Sequence, residues 1–378
     1  MTVGTEPDFT EIHDELRAVT RALLAAVGPG ERIETRVLAA QGWLGLEVPE
    51  EFDGAGATFG EVAIVLEELG RAAADSGYLG GALAVGVCGL FASAPDRGEL
   101  FSALAAGTAE ATVAFSAFAD DCDATPPFRI ESAAAQLRVC GRAEFVPDAV
   151  GADRLLLLAA DPDGVPVLVA VAADTAGLVC SGQPVLDETR SFGVVTADGI
   201  AVPEDAVWRF DGDPSAAIQR LRDRAAVAIA CDSLGLGEAM LAATVAYAGT
   251  RTQFGRPIGS FQAVKHACAD MLVQLTVARQ LVGAAVRQLA AADRSRPDTA
   301  AVRHSDSAEL DVAIAAAMAK SYTCAAAVEI AGKAMQLHGG FGYTWDSGIH
   351  RYLKRATLNR SLFGSPTTHR HHLATRYR

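Results

Sequence analysis

The hydrophobic periodicity of this 378-residue chain changes twice, and the two changes limit the folds that it can adopt. Residues 1–110 carry apolar residues at helical spacing, interrupted by Pro and Gly. Residues 111–212 contain short β-rich runs, such as ATVAFSAF and GVVTADGIAV, separated by Asp-Gly and Pro turns. Helical patterns return over residues 213–378. This order predicts an α+β chain of three domains: a helical domain, a β domain resembling a barrel or sandwich, and a helical bundle.

One helix of the first domain can be placed from its start signal. In TFGEVAIVLEELGRAA, Thr58 occupies the N-cap position and Glu61 follows three residues later, which is the pattern of a capping box. The apolar residues that then recur at helical spacing are Val62, Val65, Leu66 and Leu69. We expect this face of the helix to be buried.

The charge balance argues against nucleic acid as a partner. The formal net charge is −14, the pI is near 5.0, and no run of Lys and Arg would follow a phosphate backbone. The sequence HRHH at residues 369–372 does not predict a metal site, because neighbouring residues of a helix point in different directions and no Cys or carboxylate accompanies them. We expect a solvated terminal helix there, and no bound metal.

The longest apolar run, residues 225–250, is long enough to cross a membrane, but Asp232 and Glu238 interrupt it. A buried bundle helix is therefore expected. The N-terminal sequence MTVGTEPDFTEIHDELRAV has an acidic amphipathic pattern rather than the charged and apolar regions of a signal peptide. We expect a cytoplasmic protein without a membrane segment.

Three stretches resemble the acyl-CoA dehydrogenase family, whose members are flavoproteins that oxidise acyl-CoA thioesters to 2-enoyl-CoA. They are GWLGLEVPEEFDGAGATFGEVAIVLEELGRA at 42–72, RTQFGRPIGSFQAVKHACADM at 251–271 and MQLHGGFGYTWDSGIHRYLKRA at 335–356. The resemblance implies a fold with an N-terminal helical domain, a middle β-barrel domain and a C-terminal four-helix bundle. It also implies FAD as cofactor, an acyl-CoA substrate, a flavin-linked electron acceptor and a role in lipid metabolism such as beta-oxidation.

By this resemblance, six positions would contact FAD, and they are Arg251, Gln253, Phe254, Gln336, Gly339 and Gly340. Arg251 would bind the pyrophosphate, since such an anion calls for a guanidinium and exposed backbone N–H groups. Gly339 and Gly340 would let the backbone approach the adenosine end, although a helix C-cap is an equal alternative. In the family these groups reach the FAD of a neighbouring subunit, which implies a homo-oligomer or a heterotetramer with a related catalytic subunit.

The family's catalytic carboxylate is absent from both of its usual positions. Most members carry a Glu in a YEGT-like segment, and here the matching segment FGSP has Gly364 at that position. A minority carry it on a helix upstream of the arginine motif, where a gapless alignment puts Ala225. Asp232 lies about two helical turns beyond Ala225 and is the candidate substitute base, the alternative being a hydrogen-bonded polar group inside the bundle.

The segments that would surround the flavin ring also depart from the family pattern. Ser116 stands for the Thr of a TEPGAGSD-like loop, and Phe145 stands for the Trp of a WIT-like strand. The loop has become acidic, with Asp120, Asp121 and Asp123. These charges would repel a nearby phosphate, unless the loop points into solvent.

The leading hypothesis is a base-deficient subunit of a heteromeric acyl-CoA dehydrogenase. The residues that would contact a neighbour's FAD, Arg251 and the stretch 336–340, match the family pattern, whereas the residues of the chain's own site depart from it. Heteromeric members of the family favour bulky CoA esters, such as sterol side-chain intermediates. The alternatives are a self-sufficient homo-oligomeric dehydrogenase that uses Asp232, a flavin monooxygenase that needs no base, and a flavin-free scaffold on the same fold.

Overall fold

The chain runs from a helical part through a sheet into a second helical part. The computed structural model describes residues 10–27, 31–91, 93–118, 125–133, 136–294 and 306–376. Its helices are α1 (Thr10–Ala26), α2 (Thr35–Ala40), α3 (Phe59–Ala72), α4 (Tyr78–Cys88), α5 (Arg97–Ala106), α6 (Pro214–Thr250), α7 (Gln262–Arg294), α8 (Asp306–Leu337), α9 (Ile349–Ser361) and α10 (Pro366–Arg376). Its strands are β1 (Arg32–Ile33), β2 (Asp75–Ser76), β3 (Ala111–Ala114), β4 (Phe128–Ala133), β5 (Gln136–Pro147), β6 (Arg154–Ala160), β7 (Pro166–Ala172), β8 (Leu178–Gly182), β9 (Phe192–Val202), β10 (Val207–Arg209), β11 (Thr252–Gln253) and β12 (Arg256–Pro257). This order confirms the predicted α+β class, and the predicted limits 1–110, 111–212 and 213–378 fall between α5 and β3 and between β10 and α6.

Helix α3 starts at the predicted capping signal. The Thr58 hydroxyl accepts a hydrogen bond from the backbone N–H of Gly60 at 3.1 Å, and the Glu61 carboxylate accepts one from the backbone N–H of Thr58 at 2.9 Å. These contacts confirm the capping box. The four apolar residues predicted to share a face are all buried in the main core, and they are Val62, Val65, Leu66 and Leu69.

The middle of the chain forms an eight-stranded mixed sheet. The strand order is β10-β7-β6-β4-β5-β9-β8, and β3 pairs with β6 in parallel. Strand β6 is apolar from Leu155 to Ala160, in keeping with the burial of both of its faces from Leu155 to Ala159. Leu155 and Leu157 belong to a core of the sheet itself, whereas Leu156 and Leu158 belong to the main core shared with the helices. Alternate side chains of one strand thereby join the two cores.

The long strands β5 and β9 pair with two irregularities of register, one of which lies between Ala143 and Val146. Phe145 lies inside this irregularity and has a φ of 52°. A β-bulge re-aims the side chain that it contains, so the bulge sets the direction of Phe145.

Helices α3 and α6 cross at very short range. A Cβ atom at Gly235 would overlap the carbonyl oxygen of Glu67, and one at Gly70 would overlap the carbonyl oxygen of Asp232. Only glycine leaves room for the opposite backbone at these two positions. The crossing joins the N-terminal helices to the bundle.

Two helices are long and apolar enough to cross a membrane by length and composition alone. They are α6, and α8 from Leu310 onward. In the most apolar 18-residue windows of these helices, 78% and 61% of the residues are buried inside the fold. Such burial is typical of the core helices of a bundle, as predicted for residues 225–250.

Candidate functional site

A surface cavity of about 530 Å³ opens between the end of α6, the β11–β12 hairpin and the turn after α8. It is lined by Tyr247, Arg251, Gln253, Ile258, Leu337, His338, Gly339, Gly340 and Phe341. Four of the residues predicted to contact FAD, from two separate motifs, therefore line one cavity. Phe254 and Gln336 lie outside this lining, although both are exposed nearby in the chain.

The end of α6 positions Arg251. The Arg251 backbone N–H donates to the carbonyl of Tyr247 at 2.9 Å, and its carbonyl accepts from the N–H of Ile258 at 2.8 Å. Between these two bonds the chain makes a hairpin whose loop residues, Phe254 and Gly255, have φ values of 52° and 75°. Positive φ at both loop residues is typical of the tight turns that suit hairpins. The hairpin presents the Arg251 side chain to solvent and leaves Phe254 91% exposed at its tip.

The backbone at Gly339 and Gly340 is open on its outer side. Gly339 has a φ of 60° directly after the end of α8, so the helix-cap interpretation describes its conformation well. A Cβ atom at either glycine would nevertheless meet no described atom within 4 Å. The packing of the chain thus leaves free space beside this backbone, as the close approach of a ligand requires.

A stack of aromatic rings lies against the cavity, and the sequence analysis missed it. The Tyr247 ring lies 4.4 Å from the His338 ring with an interplanar angle of 25°, and 6.1 Å from the Phe341 ring with an angle of 10°. The Tyr247 hydroxyl also donates to the His338 carbonyl at 3.3 Å. Their spacing from the two motifs could have pointed to these residues, because Tyr247 precedes Arg251 by one helical turn and His338 directly precedes Gly339.

The two usual positions of the catalytic carboxylate are buried. Ala225 is fully buried in the main core. Gly364 is also buried and has a φ of 92°. A Cβ atom at Gly364 would lie only 2.7 Å from Nε2 of His369. The imidazole of His369 therefore fills the space into which a side chain at position 364 would extend.

Three hydrogen bonds fix the loop around Gly364. The N–H of Phe363 donates to the carbonyl of Ala117 at 2.6 Å, and Nζ of Lys320 donates to the carbonyl of Gly364 at 2.9 Å. Nε2 of His369 lies 2.9 Å from the Phe363 carbonyl and must donate to it, because a carbonyl oxygen only accepts. The prediction of a solvated helix was wrong for His369, whose exposed fraction is 9% because α10 packs it against this loop.

The low pKa and the hydrogen-bonding role of the His369 ring make it unsuited to act as a general base. Burial, reinforced by the positive charge of Lys320, lowers the pKa of His369 to about 4. The nitrogen nearest Gly364 carries the hydrogen that it donates to Phe363. The ring is thus a neutral hydrogen-bond donor in the place of a carboxylate.

Asp232 lies in a buried ion cluster. Nη2 of Arg355 lies 2.6 Å from its Oδ2, Nη2 of Arg190 lies 3.0 Å from the same oxygen, and Asn359 donates to Oδ1 at 2.6 Å. Burial by itself would raise the pKa of Asp232, but the two guanidinium groups outweigh it and hold that pKa at about 2. A carboxylate held in this way is a weak base and has little freedom to reach a substrate. The geometry matches the alternative interpretation, a hydrogen-bonded polar group.

The residues predicted around the flavin ring form an aromatic cluster. The Phe118 ring lies 4.3 Å from the ring of Phe145, and Phe145 lies 6.4 Å from Phe192 in an edge-to-face arrangement. The Ser116 hydroxyl accepts a hydrogen bond from the backbone N–H of Phe118 at 3.3 Å. Phe118 thus packs on the ring that was predicted to replace the family's flavin-contacting Trp. The acidic positions Asp120, Asp121 and Asp123 lie outside the described residues.

Comparisons with known proteins cover most of the chain. The family model "Acyl-CoA dehydrogenase, N-terminal domain" matches residues 11–108, and "Acyl-CoA dehydrogenase, C-terminal domain" matches residues 216–377. The chain is 29% identical to the acyl-CoA dehydrogenase IpdE2 of Mycolicibacterium smegmatis, with 95% of this chain and 92% of the relative covered.

Two solved structures are similar over nearly their whole length. A variant of the Tcur3481-Tcur3483 steroid ACAD superposes with a TM-score of 0.79 at 26% identity, covering 97% of both chains. The ChsE4-ChsE5 complex from Mycobacterium tuberculosis superposes with a TM-score of 0.82 at 24% identity, covering 100% of this chain and 99% of the other. At 24% identity, the similarity to the ChsE4-ChsE5 complex shows a shared fold.

Proposed function

Because this chain belongs to the acyl-CoA dehydrogenase family, we propose that it is the base-deficient subunit of a heteromeric acyl-CoA dehydrogenase, completing the FAD site of a related catalytic chain. The observation that carries the proposal is a contrast within the molecule. The residues that would serve a neighbour's FAD line one open cavity, whereas Gly364 lies under His369, where a catalytic carboxylate would be needed.

FAD is the cofactor of this chain's family, and the open cavity fits one end of it. Arg251 would bind the pyrophosphate, and the backbone at Gly339 and Gly340 would lie beside the adenosine. A bound flavin would supply the acceptor for the hydride of the β-carbon of the thioester, and a carboxylate base would be needed for the α-proton. In this chain that base is missing at Gly364 and Ala225, so the partner chain would supply it.

The self-sufficient alternative requires a base in this chain. Asp232 is paired with two arginines, and its depressed pKa makes it a poor acceptor for a proton. A general base contributes roughly 10²–10⁴-fold to such a reaction, so the chain alone should turn over acyl-CoA at most feebly.

The names of two similar structures support a two-chain enzyme and a bulky substrate. Both name two chains, and one is called a steroid ACAD. We infer for this chain an acyl-CoA thioester with a bulky ring system or sterol side chain. The enzyme would pass electrons to a flavin-linked acceptor in the cytoplasm.

The test compares the chain alone with the chain co-expressed with candidate partners of the same family. In the isolated chain, we expect either no flavin absorption band at about 450 nm or a band that no acyl-CoA of a test panel bleaches. With the right partner, we expect co-purification and one bound FAD for each pair of chains. Full bleaching by an acyl-CoA with the isolated chain would contradict the proposal.

Two arginine variants sharpen the test. Arg251→Gln should lower the FAD content of the complex, because it removes the guanidinium from the cavity. Arg256→Gln is the matched control, since Arg256 is also an exposed residue of the hairpin but its guanidinium lies over the Phe261 ring, outside the cavity lining. Equal FAD loss in both variants would argue against the assigned role of Arg251.

A further inference from the structure

We propose that the open edge of strand β8 pairs with the same edge of a second copy of this chain, so that the eight-stranded sheet continues across a two-fold axis. Strand β8 is the last strand of the sheet, and among the described strands it pairs only with β9. This surface belongs to the sheet region, so the pairing is independent of the proposed heteromeric function.

The backbone groups of β8 point in turn towards β9 and away from it. The Asp198 N–H donates to the Gly177 carbonyl at 3.3 Å, and the Gln183 N–H donates to the Phe192 carbonyl at 2.8 Å. Bond direction alternates along an antiparallel strand, so the odd-numbered residues from 177 to 183 bond to β9. The even-numbered residues face the open edge, and they are Leu178, Cys180 and Gly182.

These outward groups complement a second copy of themselves. The Leu178 N–H already donates to the Thr175 carbonyl at 2.9 Å, so the N–H groups of Cys180 and Gly182 are the donors of the edge. In an antiparallel pair centred on Cys180, each Cys180 N–H would meet the Cys180 carbonyl of the other copy. Each Gly182 N–H would meet the other copy's Leu178 carbonyl. All four donors of the pair then face acceptors of opposite partial charge.

The side chains of β8 do not block such pairing. Exposed sheet edges in natural proteins are commonly protected by charged residues or proline. Strand β8 has the sequence LVCSG and contains neither. The strand at the other end of the sheet, β10, has only three residues and ends at the exposed Arg209. The edge of β8 is therefore suited to adding another strand.

Apolar side chains surround this edge. Val179 is 57% exposed, Leu186 is 75% exposed, and Val150, which is 44% exposed, lies beside Gly182. A pair of five-residue strands with these side chains covers less than the roughly 1,200 Å² of a stable interface. We therefore expect a weak, reversible dimer. Each copy carries a net charge of −14, so salt should strengthen the dimer by screening the repulsion.

Sedimentation equilibrium of the full chain measures the self-association, and Gly182→Pro is the first variant. Proline is tolerated on an edge strand where its missing N–H would face outward, so the pairing with β9 should persist. The variant removes two of the four hydrogen bonds between the copies, and the dissociation constant of the dimer should rise about tenfold or more. The melting temperature shows whether the fold is intact.

A charge tests the same edge without proline. Val179→Lys places two like charges on the paired strands and should also raise the dissociation constant about tenfold or more. Val165→Lys is the matched control, because Val165 is 42% exposed in the turn between β6 and β7, outside β8. This control should change the dissociation constant by less than about twofold.

A thiol cross-link tests the register of the pairing. Pairing about Cys180 puts the two Cys180 Cα atoms about 5.5 Å apart, so a short bismaleimide should join the two thiols. Cys180→Ser should abolish this covalent dimer. Cys140→Ser, which removes another partly exposed thiol on β5, should keep it.

Three results would overturn the proposal. They are equal dissociation constants for the wild-type chain, Gly182→Pro and Val179→Lys, no concentration-dependent association of the wild-type chain up to millimolar concentration, and a covalent dimer that survives Cys180→Ser. The chain is measured alone throughout, so failure to find a catalytic partner would count only against the proposed function.

Discussion

At the scale of single residues, the packing around Gly364 leaves no space for a side chain at that position. His369 occupies the space beside Gly364, and its ring is held there by the carbonyl of Phe363. Lys320 fixes the neighbouring carbonyl of Gly364. Replacing Gly364 by Glu would therefore have to displace a buried ring before the new carboxylate could face a substrate.

We expect Gly364→Ala to destabilise the fold more than Gly348→Ala. Both glycines have positive φ, and the strain of a side chain there costs about 1 kcal/mol in each case. Only at Gly364 does the new Cβ also meet His369, which adds about 1–3 kcal/mol, whereas at Gly348 it meets no described atom within 4 Å. Thermal unfolding of the two variants measures the difference.

A double-variant cycle isolates the contact with His369. Adding His369→Ala should reduce the cost of Gly364→Ala, since the ring that the new Cβ meets has gone. Additive effects of Gly364→Ala and His369→Ala would mean that the space beside Gly364 is not filled in solution.

The ionisation of the buried Asp223 carboxyl group is expected to lower the free energy of unfolding as the pH rises. Burial raises the pKa of Asp223 to about 7, and the hydrogen bond from Gln219 offsets this only in part. Between about pH 4 and pH 7 the unfolded chain loses this proton while the folded chain keeps it, so the free energy of unfolding falls over that range.

Asp223→Asn should raise the melting temperature at pH 8 by several degrees and change it little at pH 4.5. Asn keeps an acceptor for Gln219 and carries no charge. Asp346→Asn, at an exposed position, serves as the control and should shift the melting temperature equally little at both pH values. The prediction fails if the two variants behave alike at pH 8.

The sequence predicted part of this residue-level picture. Arg251 and Gly339 could be assigned because their motifs have a form that recurs through a family, and both line the cavity. Tyr247 and His338 were missed, because a lone aromatic residue near a helix end has the same pattern as a core residue. The burial of His369 was not predictable, since it depends on how α10 folds back on the turn that precedes it and on the contact of that turn with Lys320 of α8.

At the scale of elements, the crossing of α3 and α6 depends on two glycines. The capping box of α3 could be predicted because its residues lie within one turn of the chain. The crossing could not, because it joins residues more than 150 positions apart. The bulge that aims Phe145 was equally hidden, because register between β5 and β9 leaves no local signature. Local sequence signals thus predicted the helices and strands, whereas the contacts between these elements could be seen only in the structure.

Gly235→Ala should destabilise the fold by about 3 kcal/mol or more, because its methyl group would overlap the backbone carbonyl of Glu67. The matched control is Gly332→Ala in α8, where a Cβ would meet no described atom within 4 Å. That variant should be neutral or more stable by up to about 1 kcal/mol, from helix propensity. Denaturant unfolding of both variants checks the prediction, and equal stability would contradict the close crossing.

At the scale of the whole molecule, one ion cluster joins the three parts of the chain. Asp232 lies on α6 and Arg355 on α9, while Nη1 of Arg355 donates to the Ala74 carbonyl at 2.9 Å and to the Thr189 hydroxyl at 2.8 Å. Arg190, which follows Thr189 just before β9, completes the cluster. The N-terminal part, the sheet region and the bundle therefore meet around one buried ion cluster.

Asp232→Asn should lower stability by about 3–5 kcal/mol, because it leaves two buried guanidinium groups without their counter-charge. Since the pKa of Asp232 is held at about 2, below its unfolded value, its stabilising effect is complete above about pH 4 and is lost as the pH falls towards 2. Melting curves between pH 2 and pH 7 test both points. Unchanged melting together with lost dehydrogenation in the complex would instead support Asp232 as a base.

The exposed hairpin tip has a consequence for how a cell must produce this protein. In the proposed two-chain enzyme, a partner that covers this hairpin would remove the 91% exposed side chain of Phe254 from water, and burying a whole side chain of this size is worth about 1.5–3 kcal/mol. A chain made without that partner would keep this apolar surface in water. Synthesis of the two chains in matched amounts would then keep the hairpin covered.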